Sequence, residues 1–507
     1  MSDENIELVS NGIFEIISAS QKAQSVTSQC GDCDCACVPV IPAEQQSLLL
    51  SSDTAYVLNQ PIQTIPLTDN YYAVLGQETS PVVLNGDALT LANHFRQPTL
   101  WEYDPSIWSS AWNYKDALST MKQMLALHLV VPENQSVPTL IENSTTLSAW
   151  LHLTDRCNLR CVYCYLSHTF GNMSLPTGNA AIDATFRSAT ANGYQRVKFK
   201  YAGGEPLLRF PLVTKLHQYA QTLASQNGLN LDGVILSNGT LLTTEHIKEM
   251  QLLGLRLMIS LDGLENFHDC QRSYANGRGS ATDTIQAIEL ALEYGLIPDV
   301  SITVSGRNVD GLPELLDWII KRDLPFSLNF YRESNFSAPY TDLRLEEDKI
   351  IIGVLAAYKI IESNLPRRSL LASLIDRANF SMPHLRTCSV GQSYLVFDSI
   401  GRVAKCQMDM NRTVTDFGDP DPLTTVREND TGICNVKVDE KAECCDCLWR
   451  YWCTGGCSLM AYRATGHYDA KSPNCSIYRA LYPEVVRLEG LRLLKYADRV
   501  KMSRPIQ

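Results

Sequence analysis

Three cysteines close a strand-like run in LSAWLHLTDRCNLRCVYCYLSHTF: Cys157, Cys161 and Cys164, separated by three residues and then two. No other feature constrains the chain as strongly. Three thiolates hold three corners of a cubane [4Fe–4S] cluster, whereas such clusters ordinarily take four cysteines, so the spacing implies an iron kept open for something else. Buried structural cysteines or a zinc site are the plainer readings of so short a spacing.

Three more polar motifs follow, each at the end of an apolar run. VKFKYAGGEPLL carries Gly203, Gly204, Glu205 and Pro206; VILSNGTLL carries Ser237 and Asn238; LRLMISLDG carries Ser260 and Asp262. Paired glycines let a backbone approach closely, and a carboxylate beside them accepts bonds from an ammonium. Singly, such turns merely close loops. In this order, with Tyr163 just before Cys164, they resemble the radical S-adenosylmethionine (SAM) superfamily. The resemblance implies that the open iron chelates SAM and that an electron from the cluster cleaves it to a 5′-deoxyadenosyl radical. It also implies that the GGEP segment holds the amino group of SAM, and that Tyr163, Ser237, Asn238, Ser260 and Asp262 line the cofactor.

Apolar runs near 148–154, 197–202, 232–237, 255–261, 298–304 and 326–331 alternate with helical patterns near 181–192, 211–226, 243–253, 281–294 and 311–322. Alternation at this interval builds βαβ units and a parallel sheet with helices outside. The expected fold is α/β, a partial (β/α)6 barrel over 145–345, with ligand sites at the carboxyl ends of the strands.

A helical segment near 344–380 leads to a second cysteine array. Cys388 precedes YLVFDSIGRVAKC, a hairpin turning at Asp398 to Gly401 and ending in Cys406; ECCDCLWRYWCTGGC supplies Cys444, Cys447, Cys453 and Cys457, and SPNC supplies Cys475. This array resembles the SPASM domain of peptide- and protein-modifying radical SAM enzymes, expected over 346–482 with a C-terminal helix over 483–507. The resemblance implies two auxiliary clusters, hence three [4Fe–4S] clusters in all. Cys444, Cys447, Cys453 and Cys475 would bind one, and Cys388, Cys406 and Cys457 the other. Some relatives place a fourth ligand shortly before the first cysteine, but PHLRTC has none. The remaining donor is then a substrate thiolate, Cys434, Cys445 or water. Zinc is the plain alternative for the array.

The N-terminal third lacks these motifs. Residues 1–45 read as a flexible arm in which QCGDCDCACVP crowds Cys30, Cys33, Cys35 and Cys37, a metal site, a substrate-like segment or simply reactive thiols. Residues 46–140 combine strands TAYVLN, NYYAVLG and SPVVLNG with helices ALTLANHF and KDALSTMKQMLALHLVV. This order resembles the winged-helix-like leader-peptide recognition element of many peptide maturases, which would bind an extended peptide along a sheet edge. A structural extension capping the barrel is the plain competitor.

In FHDCQRSYANGRGS, Cys270 either faces the active site or, more ordinarily, is a small buried hydrophobe, while Asp269 and Arg272 are expected along the substrate cavity. Arg332 and Glu333, ending the sixth strand in FSLNFYRES, stand where side chains reach SAM or peptide, with a surface ion pair the more ordinary reading. No catalytic base is assignable. With 507 residues, a net charge of −12, an acidic amino terminus without an export signal and no long apolar run, the chain is expected to be cytoplasmic, with no membrane and no nucleic-acid partner. Its seventeen cysteines, clustered at metal-ligand spacings, suit a reducing compartment.

The expected function is radical SAM modification of a ribosomal precursor peptide, by oxidative crosslinking such as thioether formation, with flavodoxin or ferredoxin as electron donor. The alternatives are a maturase of a folded protein, of sulfatase formylglycine or quinohemoprotein crosslink type, and a non-enzymatic metal-binding regulator.

Overall fold

A computed structural model describes residues 6–10, 13–19, 50–68, 70–76, 79–101, 112–134 and 144–502. Its N-terminal part comprises β1 (Ile6–Ser10), β2 (Glu15–Ala19), β3 (Ala55–Leu58), β4 (Gln63–Thr68), β5 (Tyr71–Leu75), β6 (Val82–Asn85), α1 (Gly86–His94), β7 (Thr99–Leu100), α2 (Tyr114–Ala126) and β8 (Val130–Pro132). One sheet runs β1-β2-β6-β5-β4 and a smaller one β7-β3-β8. Each helix is started by an asparagine: Asn85 accepts from the Ala88 amide and Asn113 from that of Asp116.

The expectation of an unstructured arm over 1–45 is corrected for residues 6–10 and 13–19. They form a hairpin whose second strand pairs with β6, and Phe14 and Ile16 are buried in the domain core. Their apolar content lay in a polar context that hid it. Cys30, Cys33, Cys35 and Cys37 lie outside the described residues.

The barrel follows as β9 (Thr146–His152), α3 (Leu175–Ala191), β10 (Arg196–Ala202), α4 (Phe210–Asn227), β11 (Asn230–Ser237), α5 (Thr244–Leu253), β12 (Arg256–Ser260), the single turn α6 (Asn266–Asp269), α7 (Ala281–Glu293), β13 (Asp299–Val304), α8 (Leu312–Lys321) and β14 (Phe326–Phe330). Strands β9 to β14 are parallel and adjacent in chain order, the partial barrel expected. Side chains alternate. Leu147, Ala149 and Leu151 of β9 and Val197, Phe199 and Tyr201 of β10 enter the helix-side core, while Trp150 and Ala202 face the other way.

Next come α9 (Glu347–Ser363), β15 (Tyr394–Phe397), β16 (Arg402–Ala404), β17 (Thr413–Asp416), α10 (Pro422–Glu428), α11 (Arg450–Cys453), α12 (Ser458–Thr465) and α13 (Cys475–Met502). The expected helix over 344–380 stops at Ser363, ahead of Pro366, and an irregular segment follows. The C-terminal helix starts at Cys475 rather than 483 and packs on the N-terminal sheet, Gly490 lying where a Cβ would be 2.8 Å from Ala73. Most consequentially, β15 pairs in parallel with β9, so the cysteine-rich hairpin extends the barrel's own sheet.

Candidate active site

The triad loop leaves β9 through Thr154 and Asp155. His152 holds Asp155 at 2.8 Å, and that hydrogen bond keeps the Asp155 carboxyl below its usual range. The GGEP loop lies on this segment backbone to backbone. The Gly204 amide donates to the Thr154 carbonyl at 2.6 Å and the Glu205 amide to the Arg156 carbonyl at 2.9 Å. A Cβ on Gly204 would stand 2.2 Å from the Arg156 oxygen, and Gly203, at φ 145°, would put one 2.5 Å from that of Thr154. The glycines thus serve the approach of one site loop to another.

Glu205 is fully buried. It accepts from the Leu207 amide at 2.9 Å, the Ser237 hydroxyl at 2.8 Å and the Asn238 amide at 2.8 Å, while burial pushes its carboxyl pKa up. Pro206 starts the short turn beyond it. Asn238 sends its amide to Asn158 Oδ1 at 2.9 Å and to Cys157 Sγ at 3.8 Å. Ser237 and Asn238, expected to line the cofactor, bind the GGEP and cysteine loops together in this structure. Ser260 ends β12, half-buried, in register with Ser301.

Tyr163 donates to Asp262 at 2.6 Å, and Arg272 donates to the Tyr163 oxygen. Asp262, fully buried, also receives the Gln271 side chain at 3.0 Å and the Thr303 amide at 2.8 Å, with Arg272 3.7 Å away. Arg272 thus faces Tyr163 and the triad rather than an open cavity. Asp269 accepts from the Ser280 and Ala281 amides at the start of α7, so it braces a helix instead of lining a cavity. Cys270 is exposed, not buried.

The three thiols lie near enough for their charges to act on one another. Burial and mutual repulsion hold Cys157 at about 12 and Cys164 at about 11, and burial likewise raises Cys161. Among the described residues the buried Arg272 Nε has no hydrogen-bond partner, and its guanidinium charge falls on Cys161. Raised thiols resist ionising alone, and the cation turned to them suits an anionic cluster that holds them as thiolates. The donor set fits the cluster that the spacing implies.

The C-terminal cysteines divide into two groups. Cys444, Cys447, Cys453 and Cys475 line one cavity of about 320 Å³, floored by Trp449, Tyr478 and Tyr482. Burial lifts Cys453 to about 12 and Cys444 to about 11. Cys388, Cys406 and Cys457 pack instead with Trp150, Ala202 and Leu236 of the barrel strands, and burial lifts Cys406 to about 12. Asn435, unremarkable in the sequence, ties this second group, donating to the Cys388 carbonyl at 2.5 Å and its sulfur at 3.7 Å. Cys434 is exposed, and Cys445 turns its thiol to the Ala442 carbonyl at 3.3 Å. Among the described residues, no three His, Cys, Asp or Glu side chains converge as for a single metal ion.

Arg332 and Glu333 do not pair. Glu333 meets Arg344 at 3.0 Å on the surface, whereas Arg332 is buried, bound to Asp376 at 2.6 Å and set beside Cys457. Burial opposes ionisation of Cys457, but Arg332 and Arg377 bring its thiol below the usual range. Asp376 also receives the Tyr478 hydroxyl at 2.8 Å. It lies 44 residues from Arg332 in an irregular segment, so no sequence pattern joined them.

Residues 151–319 match the Radical SAM superfamily. The barrel is a radical SAM domain. The chain is 28% identical over 222 residues to an uncharacterized protein of Methanocaldococcus jannaschii, covering 43% of this chain and 74% of that one. It is 26% identical over 361 residues to an AdoMet-dependent heme synthase of Methanosarcina barkeri, covering 66% of this chain and 97% of that one. Among solved structures, the anaerobic sulfatase-maturing enzyme anSMEcpe with bound AdoMet and Cp18Cys peptide shares the fold, with a TM-score of 0.53 at 16% identity over 70% of this chain and 99% of that one. Residues 151–319 thus belong to a domain whose superfamily uses SAM and a [4Fe–4S] cluster. No helix among the described residues is long and apolar enough to cross a membrane.

Proposed function

We propose that this radical SAM enzyme modifies a ribosomally made peptide in the cytoplasm, by oxidative crosslinking such as thioether formation. One observation carries the reading: seven further cysteines form two separate groups on a hairpin domain that shares the sheet of the radical SAM barrel. An oxidative ending must dispose of a second electron, and two auxiliary [4Fe–4S] centres give it a path.

In this reading Cys157, Cys161 and Cys164 ligate the first cluster, which supplies the electron that cleaves SAM. Glu205, with lone pairs left on its carboxylate, receives the amino group of SAM, and Tyr163, Ser237, Asn238, Ser260 and Asp262 shape the walls around it. Asp262 and Arg272 fix the Tyr163 ring. The buried barrel strands exclude water from the reacting atoms. Cys388, Cys406 and Cys457 would hold the other auxiliary centre with three thiolates and would leave room for a substrate thiolate, a soft donor suited to iron. A flavodoxin or ferredoxin delivers the first electron.

The peptide assignment draws support from the N-terminal domain, whose strands β4 and β1 end its larger sheet and so offer edges for an added strand. The solved structure of similar fold contains a peptide in its own site. A heme synthase of similar sequence lies among the relatives, and a maturase of folded proteins remains the competing enzyme class.

The test is co-expression with the short open reading frames adjoining the gene, followed by mass analysis. Loss of two hydrogens per crosslink, abolished by Cys157→Ala, is expected. Unmodified peptides throughout would contradict the reading. A cysteine-containing precursor should also perturb the spectrum of the three-thiol centre, and its Cys→Ser form should not.

A further inference from the structure

Between the two C-terminal cysteine groups lies a lysine that no motif marks. Lys441 is fully buried. Its ammonium makes one hydrogen bond, to the Thr454 carbonyl at 3.0 Å, and among the described residues no carboxylate lies within ion-pair distance. Burial lowers its pKa, so the ammonium holds its proton only where something anionic faces it.

The local backbone shows what does. Thr454, Gly455 and Gly456 take successive left-handed conformations, φ 52°, 78° and 72°, and form the turn joining Cys453 of the cavity group to Cys457 of the barrel-side group. Lys441 sits inside that turn. A Cβ on Gly455 would lie 2.9 Å from its Cδ, 3.0 Å from its Nζ and 3.2 Å from the sulfur of Cys444. The turn is held from the other side by Thr387, the residue before Cys388, which donates to the Gly456 carbonyl at 2.7 Å. Chain geometry ties the ammonium to both groups: the turn whose Thr454 carbonyl it binds begins after Cys453 and ends at Cys457, and Thr387, bonded to that turn, precedes Cys388.

We propose that Lys441 is the shared counter-cation of the two C-terminal centres, one buried positive charge that raises the reduction potential of both. The inference rests on the reading of these sites as iron–sulfur centres. Adding an electron to either centre increases negative charge beside the ammonium, so the reduced form gains more from it than the oxidised form. Shared placement keeps both centres within the same electrostatic environment, as a relay needs. Arg332, beside Cys457, acts on the barrel-side centre.

The experiment uses the full chain with Cys157, Cys161 and Cys164 replaced by Ala, so that only the auxiliary centres contribute. Lys441→Gln, Lys441→Met and Lys441→Arg are made in this background and reconstituted anaerobically. Iron and sulfide are counted, and each is titrated with dithionite under electron paramagnetic resonance. Absence of auxiliary iron in the parent itself would defeat the cluster reading, before any variant is compared.

With iron present, both signals should move to lower potential in the neutral variants. At a fixed potential the reduced-to-oxidised ratio should fall at least about tenfold, which is about 59 mV for a one-electron couple. Lys441→Arg should retain the parent potentials. If the neutral variants fail to load iron while Lys441→Arg loads it, the charge serves assembly rather than the potentials, and the proposal is overturned. Unchanged potentials, movement of one signal alone, or equal failure of all three variants would overturn it.

Discussion

The Tyr163 hydroxyl donates to the Asp262 carboxylate at 2.6 Å, joining the residue before Cys164 to the end of the fourth barrel strand. Asp262 is also the buried anion that faces Arg272, so it anchors both the aromatic ring and the cation beside the triad. Replacing Asp262 by Asn leaves the Arg272 charge uncompensated, at a cost of about 3–5 kcal/mol. Tyr163→Phe removes one charge-assisted bond, costing about 1.5–3 kcal/mol. Denaturant unfolding should therefore rank Asp262→Asn as the more damaging change, and the reverse order would remove Asp262 from this role.

Gly204→Ala tests whether the glycines serve the loop-to-loop contact. The new methyl would meet the Arg156 carbonyl at 2.2 Å, and that backbone atom lies immediately before Cys157. The variant should lose deoxyadenosine formation while its C-terminal cysteines continue to bind iron. Parent-level SAM cleavage would show that the triad loop accommodates the methyl.

His217 gives a pH signature. It is buried against the Tyr201 hydroxyl, 3.0 Å from its Nδ1, and burial lowers its pKa to about 4 from an unfolded value of 6.5. The unfolded chain therefore takes up the proton first as the pH falls. The stabilisation is complete above pH 6.5 and is lost progressively toward pH 4, amounting to about 3 kcal/mol at most. His384, buried and also lowered to about 4, adds a similar dependence. Unfolding free energy measured from pH 7.5 to 5 should decline less steeply in His217→Gln than in the parent; parallel curves would contradict the assignment.

The six barrel strands were legible because each is a short apolar run followed by a polar motif, a pattern that local composition alone reveals. The division of the seven C-terminal cysteines came only from family resemblance; in the fold Cys444, Cys447, Cys453 and Cys475 line one cavity. What stayed hidden depends on contacts between distant segments. Arg332 looked like a surface charge because Asp376 and Tyr478, its buried neighbours, come from an irregular segment and the last helix. Ser237 and Asn238 looked free for a ligand because their partners Glu205 and Asn158 belong to other loops. The hairpin of β1 and β2 escaped notice because its pairing partner β6 lies more than sixty residues downstream.

The account stands most directly on iron and SAM measured together in the Cys157/Cys161/Cys164→Ala variant. Reconstituted anaerobically and supplied with dithionite and SAM, it should form no deoxyadenosine yet keep roughly two thirds of the parent's iron, because the remaining cysteine sites are separate and would each ligate a cluster of their own. Undiminished deoxyadenosine formation, or loss of all iron with the triad, would contradict it.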